Sequence, residues 1–280
     1  MRKWKAATII LNGSDSDAGA FGGDAMSHCS RRDFAGHILE TLVTYSLFDA
    51  LIASDAFGTM LASEAKQWCR QIEEISNDLK EQRLSSTEWQ DRVEQVVATV
   101  DLANLLNRID FDKLQRRFDL PESGANWMDI DFRGAVGHPG KLSYTTRVFG
   151  MRKGRSIVPH GHHNLVSCHL VVKGDLHVRN YERLRDDAES LVIRPTIDKV
   201  ISMRDCSSQS SLRNNVHWFT ALSSTAFTFD VFVRDLERDQ PSGIDFIDPE
   251  NAERLGDGTL RARILQVEEA KKLYGGGVHH

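Results

Sequence analysis

The sequence predicts an α+β chain, a helical N-terminal region followed by an antiparallel β-sandwich or barrel. Three observations predict it. From about residue 34 to 118, apolar residues recur every three or four positions with Glu, Lys, Gln and Arg between them, the spacing that turns one face of a helix toward a core. From Trp127 onward the chain becomes a series of short segments rich in Val, Ile, Phe, Tyr and Thr, punctuated by Gly and polar clusters, as strands and turns are. Between the two regions stands Pro121-Glu122-Ser123-Gly124, a helix-breaking run. The expected organisation is a segment without fixed structure over 1–33, a helical region over 34–120, a β-barrel over 127–238 and an extension over 239–280 that carries a last helix.

Taking the elements in order, residues 12–24 are rich in Gly, Ser and Asp, too polar to build a core. Ser30-Arg31-Arg32-Asp33-Phe34 has the pattern of a twin-arginine export signal. Glu40 and Asp49 interrupt the apolar stretch that such a signal needs, while Ile38, Leu42, Tyr45, Leu47, Phe48, Leu51 and Ile52 form a helical stripe. An amphipathic helix and a cytoplasmic location are therefore expected, with export by a degenerate signal as the alternative. Leu61, Ala65, Trp68, Ile72, Ile75 and Leu79 mark the next helix. Ser85 and Glu88 have the spacing of a capping box that opens another, whose apolar side is Trp89, Val93, Val96, Val97, Val100 and Leu105. A short helix follows around Phe111–Phe118. This half carries no chemical constellation; it is expected to pack against the second half or to mediate dimerisation, which makes a homodimer one expected assembly.

The strand segments are Lys141–Met151, Ser156–His160, Leu165–Lys173, Asp175–Tyr181, Ser190–Arg194, Asp198–Met203, Asn215–Leu222 and Ala226–Val233. Their number and spacing argue for a sandwich or barrel. Arg261–Tyr274 is expected to be the last helix.

Composition excludes several classes of function. The 280 residues carry a net charge of -5, and no Lys/Arg-rich run occurs, so a nucleic-acid partner is not expected. No stretch of about 18 apolar residues is present, so no membrane span is expected. The four cysteines, Cys29, Cys69, Cys168 and Cys206, lack CxxC spacing and are expected to be reduced thiols.

The chemistry is concentrated in Pro159-His160-Gly161-His162-His163 and in His217. Residues i and i+2 of a strand point to the same side, so His160 and His162 share a face, and His217 on a neighbouring strand would complete a set of three imidazoles. Three neutral imidazoles with open positions make a catalytic metal site rather than a closed structural one. They leave the full charge of a divalent ion uncompensated, which favours a small anionic substrate. Such ligands suit iron, zinc, nickel or copper better than manganese or magnesium. His169 shares the parity of Ser167 and is a further candidate as ligand or hydrogen-bond donor; His163 has the opposite parity and is a weaker one. Arg147 or Arg179 could clamp a substrate carboxylate, and Tyr144 or Tyr181 could offer a hydroxyl. Arg147 and Tyr181 are the candidates retained for the catalytic set. Cys168, at the opposite parity, is expected outside the cavity.

Gly154, five residues, His160-Gly161-His162, four residues, Ser167, six residues and Gly174 resemble the first motif of the cupin superfamily. Ser167 stands where that motif has a glutamate. His217 matches the histidine of the second motif, although Leu212-Arg213-Asn214-Asn215 replaces its usual turn. The resemblance spans roughly residues 140–235. It implies a jelly-roll-like barrel. A three-histidine set without the glutamate is similar to the cysteine dioxygenase-like, or thiol dioxygenase, branch, which implies Fe2+, molecular oxygen and a small thiol or other anion as substrate. Zn2+ or Ni2+ with redox-neutral isomerase or hydrolase chemistry is the second expectation, and a non-catalytic ligand-binding or sensor protein the third.

Overall fold

A computed structural model describes residues 56–132 and 141–276; the expectations for the segment before residue 56, with its twin-arginine pattern and its first helical stripe, lie outside the described residues. Among the described residues four helices come first: α1 (Ala56–Lys80), α2 (Ser86–Thr99), α3 (Leu102–Arg108) and α4 (Phe111–Arg117). Helix α1 buries Trp68, Ile72, Ile75 and Leu79, as their spacing predicts, and Cys69 beside them. The capping box at α2 is formed: Glu88 N donates to Ser85 Oγ at 3.2 Å, and Ser85 N donates to Glu88 Oε2 at 2.8 Å. The helix expected to run from Trp89 through Leu105 is two helices. Val100 is extended, and Asp101 starts α3 by accepting from Asn104 N at 3.1 Å. A capping carboxylate inside an apolar stripe ends one helix and begins another.

Eleven strands follow among the described residues: β1 (Asn126–Ile130), β2 (Thr145–Arg152), β3 (Ser156–His163), β4 (Leu165–Lys173), β5 (Leu176–Asp186), β6 (Ser190–Ile201), β7 (Cys206–Gln209), β8 (Val216–Ala221), β9 (Thr225–Arg234), β10 (Gly243–Arg254) and β11 (Leu260–Leu265). Helix α5 (Val267–Tyr274) closes the described chain. One sheet has the order β1-β2-β9-β4-β7, and the strands β10-β11-β6-β5-β8-β3 close on themselves. All pairings are antiparallel. This is the predicted α+β, jelly-roll-like architecture with a helical region before it.

Two strand expectations are corrected. Ser190–Arg194 and Asp198–Met203 are one strand, β6, which runs through Pro195. Strand β11 pairs only with Ser190–Ile193, so at Pro195 the other side of β6 has no ladder to lose, and β5 bulges at Asn180/Tyr181 to follow it. Proline is tolerated in a sheet at such an edge. The expected helix Arg261–Tyr274 begins only at Val267; Leu260–Leu265 is strand β11. With β10 it continues the barrel past residue 238.

The helices cover the outer face of the open sheet. Val166, Cys168, Leu170 and Val172 of β4 and Phe227, Phe229, Val231 and Val233 of β9 share one core with Trp68, Trp89, Phe111 and Phe118. Trp68 lies 5.7 Å from Phe229, and Phe111 and Phe118 each meet Phe227 edge-on at 5.3 Å. Cys168 is therefore on the helix side, as its parity predicts, and Cys69, Cys168 and Cys206 are free thiols. The opposite face of this sheet looks across to β5, β8 and β3. One end of that interior is apolar, with Met151, Val171, Leu176, Val178 and Phe219; the other end holds the histidines.

Candidate metal centre

Strand β3 carries His160 and His162 on one side of its pleat, and β8 brings His217 directly opposite His160. The rings of His160 and His217 have centroids 4.1 Å apart, and those of His162 and His217 4.8 Å apart. One nitrogen of each of the three residues lies within 4.8 Å of the others. His160 Nε2 and His162 Nε2 stand 3.2 Å apart. Two imidazole nitrogens on one tetrahedral metal at about 2.0–2.1 Å would be ~3.3 Å apart, so this pair already has the right separation.

Local chemistry holds each ring. His160 Nδ1 bonds the Val158 carbonyl at 2.8 Å, which puts its proton on Nδ1 and leaves Nε2 as a free lone pair. Asn215 clasps the backbone of His162: its Nδ2 donates to the His162 carbonyl at 2.8 Å, and its Oδ1 accepts from His162 N at 3.3 Å. On the far side of the ligand strands, Val158 and Trp218 pack against Ala270 and Tyr274 of α5. That layer braces the residues beside His160 and His217 against movement.

Burial keeps all three rings neutral. Desolvation first, with the nearby His169 adding to it against the His160–Val158 bond, lowers the His160 pKa to about 4. The pKa values of His162 and His217 fall well below the ordinary 6.5, again chiefly by desolvation and then by the neighbouring imidazoles. Both ring nitrogens of His217 and Nδ1 of His162 are buried with no hydrogen-bond partner. Buried polar atoms without partners are costly, and neutral imidazoles with free lone pairs are metal ligands. The three residues could hold a metal ion, and their donor set fits a divalent first-row metal.

Around them lies a polar row on the inner face of the open sheet. His169 pairs in register with Asp230 of β9 and with Ser207 of β7. Its Nδ1 is 2.7 Å from Asp230 Oδ2 and its Nε2 3.2 Å from Ser167 Oγ. Ser167 Oγ donates to Gln209 Oε1 at 3.0 Å, while Gln209 Nε2 and Asn180 Nδ2 both donate to Ser207 Oγ, at 2.8 and 3.0 Å. The His169 ring is 5.0 Å from that of His217. His169 thus stands beside the three histidines, held by the sheet rather than among the converging nitrogens. Ser167, at the place of a cupin glutamate, is part of the network that orients it.

The other candidates fall at different distances from this centre. Arg147 lies on the same inner face, but its Nε bonds Asp129 at 2.6 Å and its guanidinium lies 5.6 Å from the Trp127 ring and 5.8 Å from the Phe232 ring. Tyr181 is not brought to the histidines: it is buried with Leu191, Ile193, Val216, Ile247 and Ala262 in a separate core of the closed barrel. His163 ends β3 on the opposite side, with Nε2 2.5 Å from Asp245 Oδ2. Arg179 is stacked 4.1 Å from the Trp218 ring, and Tyr144 donates to the Cys69 carbonyl in the helix-side core. Sequence analysis missed Asp230, Gln209 and Asn180. The signal for Asp230 was present: it is the one carboxylate in Thr225-Ala226-Phe227-Thr228-Phe229-Asp230-Val231-Phe232-Val233, and it is fully buried. Gln209 and Asn180 had none, because only strand pairing places them.

No protein-family model matches the chain, and no curated protein matches it either. Similar solved structures include cupin and double-stranded β-helix proteins. Procruciferin, an 11S globulin from Brassica napus, is 12% identical with a TM-score of 0.32; the similarity covers 46% of this chain and 29% of that one. A recombinant oxalate oxidase in complex with glycolate is 18% identical with a TM-score of 0.32, covering 45% of this chain and 56% of that one. A cupin superfamily protein from Desulfitobacterium hafniense is 10% identical with a TM-score of 0.29, covering 42% and 84%. The chain spans less than two thirds of the first two. Likeness at this level says nothing of activity, and the architecture is read from this chain's own strand order. Among the described residues, no helix is long and apolar enough to cross a membrane.

Proposed function

We propose that this protein is a mononuclear metal-dependent enzyme of the cupin type, an iron-dependent dioxygenase acting on a small anionic substrate, thiols among the candidates. The observation that carries this reading is the convergence of His160, His162 and His217 as three buried neutral imidazoles. These three residues would hold the ion. Ferrous iron, when bound, would supply open positions for an anionic substrate and for oxygen and would couple electron transfer between them.

The chain's own residues do the rest. Neutral ligands leave the ion's positive charge unbalanced, so the site attracts an anion. Phe219 and Phe232, both against His169, and Phe246, 6.0 Å from His160, keep bulk water from the reacting groups and strengthen every charge interaction there. Asp230 and Ser167 engage both ring nitrogens of His169 and fix the ring 5.0 Å from that of His217, where it would form a rigid wall against a bound substrate. Arg147, held by Asp129, contributes positive potential from the same face.

The test is elemental analysis of protein purified without oxygen, beside a His217→Ala variant, followed by oxygen-uptake measurements with small thiols and carboxylates. Near-stoichiometric iron that is lost in the variant, with substrate-dependent oxygen consumption, is the expected result. Zinc or nickel lost in the same way would keep the centre and replace the dioxygenase with redox-neutral chemistry. No metal after reconstitution would leave a binding protein.

A further inference from the structure

Arg234 differs from the other arginines near the centre. Arg147 is paired with Asp129, Arg183 with Asp186 and Asp245, and Arg179 is stacked on Trp218. Arg234 has no hydrogen bond or ion pair among the described residues; Asp235 and Asp129 act on it only at a distance.

Its place is set by the sheet. Arg234 is the last residue of β9 and lies opposite Leu165, the first residue of β4. Leu165 follows His162 by two intervening residues, across the turn at Asn164, whose φ is 52°. On β9, Arg234 shares the parity of Asp230 and Phe232, the inner face that meets the histidines. It therefore stands, exposed, at the open end of that face, where its charge reaches His162. Electrostatics agree with this position. The Arg234 charge helps to push the His162 pKa down. Arg234 is itself lowered, first by desolvation and then by the like charge of Arg147. Two guanidinium groups near enough to repel, on the face that meets the three neutral imidazoles, make this end of the interior positive, and of the two Arg147 has a counter-ion in contact.

We propose that Arg234 is the anion-recognition group of this site, and that the substrate class is a short molecule with a metal-binding group at one end and a carboxylate or similar planar oxyanion at the other. This rests on the proposed metal centre. A guanidinium presents two parallel donors that fit a carboxylate and impose its orientation. An oxyanion there would also relieve the Arg234–Arg147 repulsion. Phe232 lies on this face between Asp230 and Arg234, its ring 5.8 Å from both the Arg147 guanidinium and the His169 ring, so an apolar link of a few carbons without charge suits the molecule.

The experiment is calorimetric titration of the full chain with malonate and succinate, with malonamide and succinamide as neutral controls. Wild type, Arg234→Gln and Arg234→Lys are each examined metal-loaded and metal-stripped, with metal content measured in every sample. The expected result is that the dicarboxylates bind wild type more tightly than the diamides do. Arg234→Gln should weaken that binding at least fivefold with metal content unchanged, and Arg234→Lys should lose less. A smaller loss in Arg234→Gln, or no preference of wild type for the dianions, overturns the assignment while leaving the metal centre intact. Wild type that takes up no metal overturns the centre instead; the Arg234-dependent anion binding of stripped protein then decides the anchor alone.

Discussion

At the scale of single residues, burial gives the three imidazoles the protonation state that a metal ligand needs. A histidine in water carries a proton half the time at pH 6.5; His160, desolvated, holds off protonation until about 4. Each ring is therefore ready for a metal at neutral pH without first losing a proton. Removing one should matter more than its share of the contacts. His217→Ala, which deletes the β8 ligand, is expected to weaken metal uptake by well over tenfold in an equilibrium competition with a chromophoric chelator. The same pKa shifts have a sign for stability. Between about 6.5 and 4 the unfolded chain binds protons at His160 that the folded chain refuses, so stability falls as pH falls through that window. For His160 alone the full shift corresponds to roughly 3 kcal/mol, with His162 and His217 acting in the same direction. Urea midpoints of metal-free protein should drop steadily from pH 7 to pH 5; an unchanged midpoint would contradict neutral buried rings. Asp230 is a different case. Asp230→Asn keeps the shape but removes the charge that holds His169 Nδ1, and the outcome to look for is lost turnover at retained metal content.

At the scale of elements, local sequence rules and sheet geometry set the frame that carries those residues. The α2 capping box satisfies two backbone groups at once, so Ser85→Ala is expected to cost about 1 kcal/mol in equilibrium unfolding with no effect on metal binding. Gly174 ends β4 at φ 75°, and a Cβ there would come 2.5 Å from the Thr225 carbonyl oxygen. Gly174→Ala meets both a strained conformation and a backbone clash, and a loss of about 2 kcal/mol or more is expected. The elements that the sequence made legible were those with a strong local signal: the periodicity of α1, the Ser85/Glu88 pair, the histidine strand and the alternation of β9. The elements that it misplaced were decided by neighbours. Pro195 suggests a break, yet β6 continues because β11 does not reach that far. Residues 261–265 are expected to open the last helix, yet belong to a strand, with β6 and β10 on either side of it.

At the scale of the whole molecule, the open sheet stands between the helical half and the histidines of β3 and β8 and is used on both faces. The outer face of β4 and β9 buries Phe227, Phe229, Cys168 and Leu170 under the helices, while the inner face presents His169 and Asp230 to the centre. The helices thus fix the register of the strands that hold the polar row, without supplying a group to it. A metal that binds only the folded chain should stabilise all of it. At a hundredfold excess over its dissociation constant the gain is ~2.7 kcal/mol, which for a domain of this size raises the melting temperature by roughly 5–10 °C. That rise should vanish in His160→Ala/His162→Ala; differential scanning calorimetry with and without metal measures it.

By itself the sequence determined the two-part α+β organisation and the candidate ligands, because strand parity is a local property: residues i and i+2 of β3 share a face whatever surrounds them. It also located His217, through the spacing of a known motif. Only the tertiary structure decided what stands around the three histidines. The partners of His169, the isolation of Tyr181 in another core, the pairing of Arg147 with Asp129 and the open position of Arg234 all follow from which strands lie side by side. Strand order is a long-range choice made by the whole core, and no spacing along the chain records it.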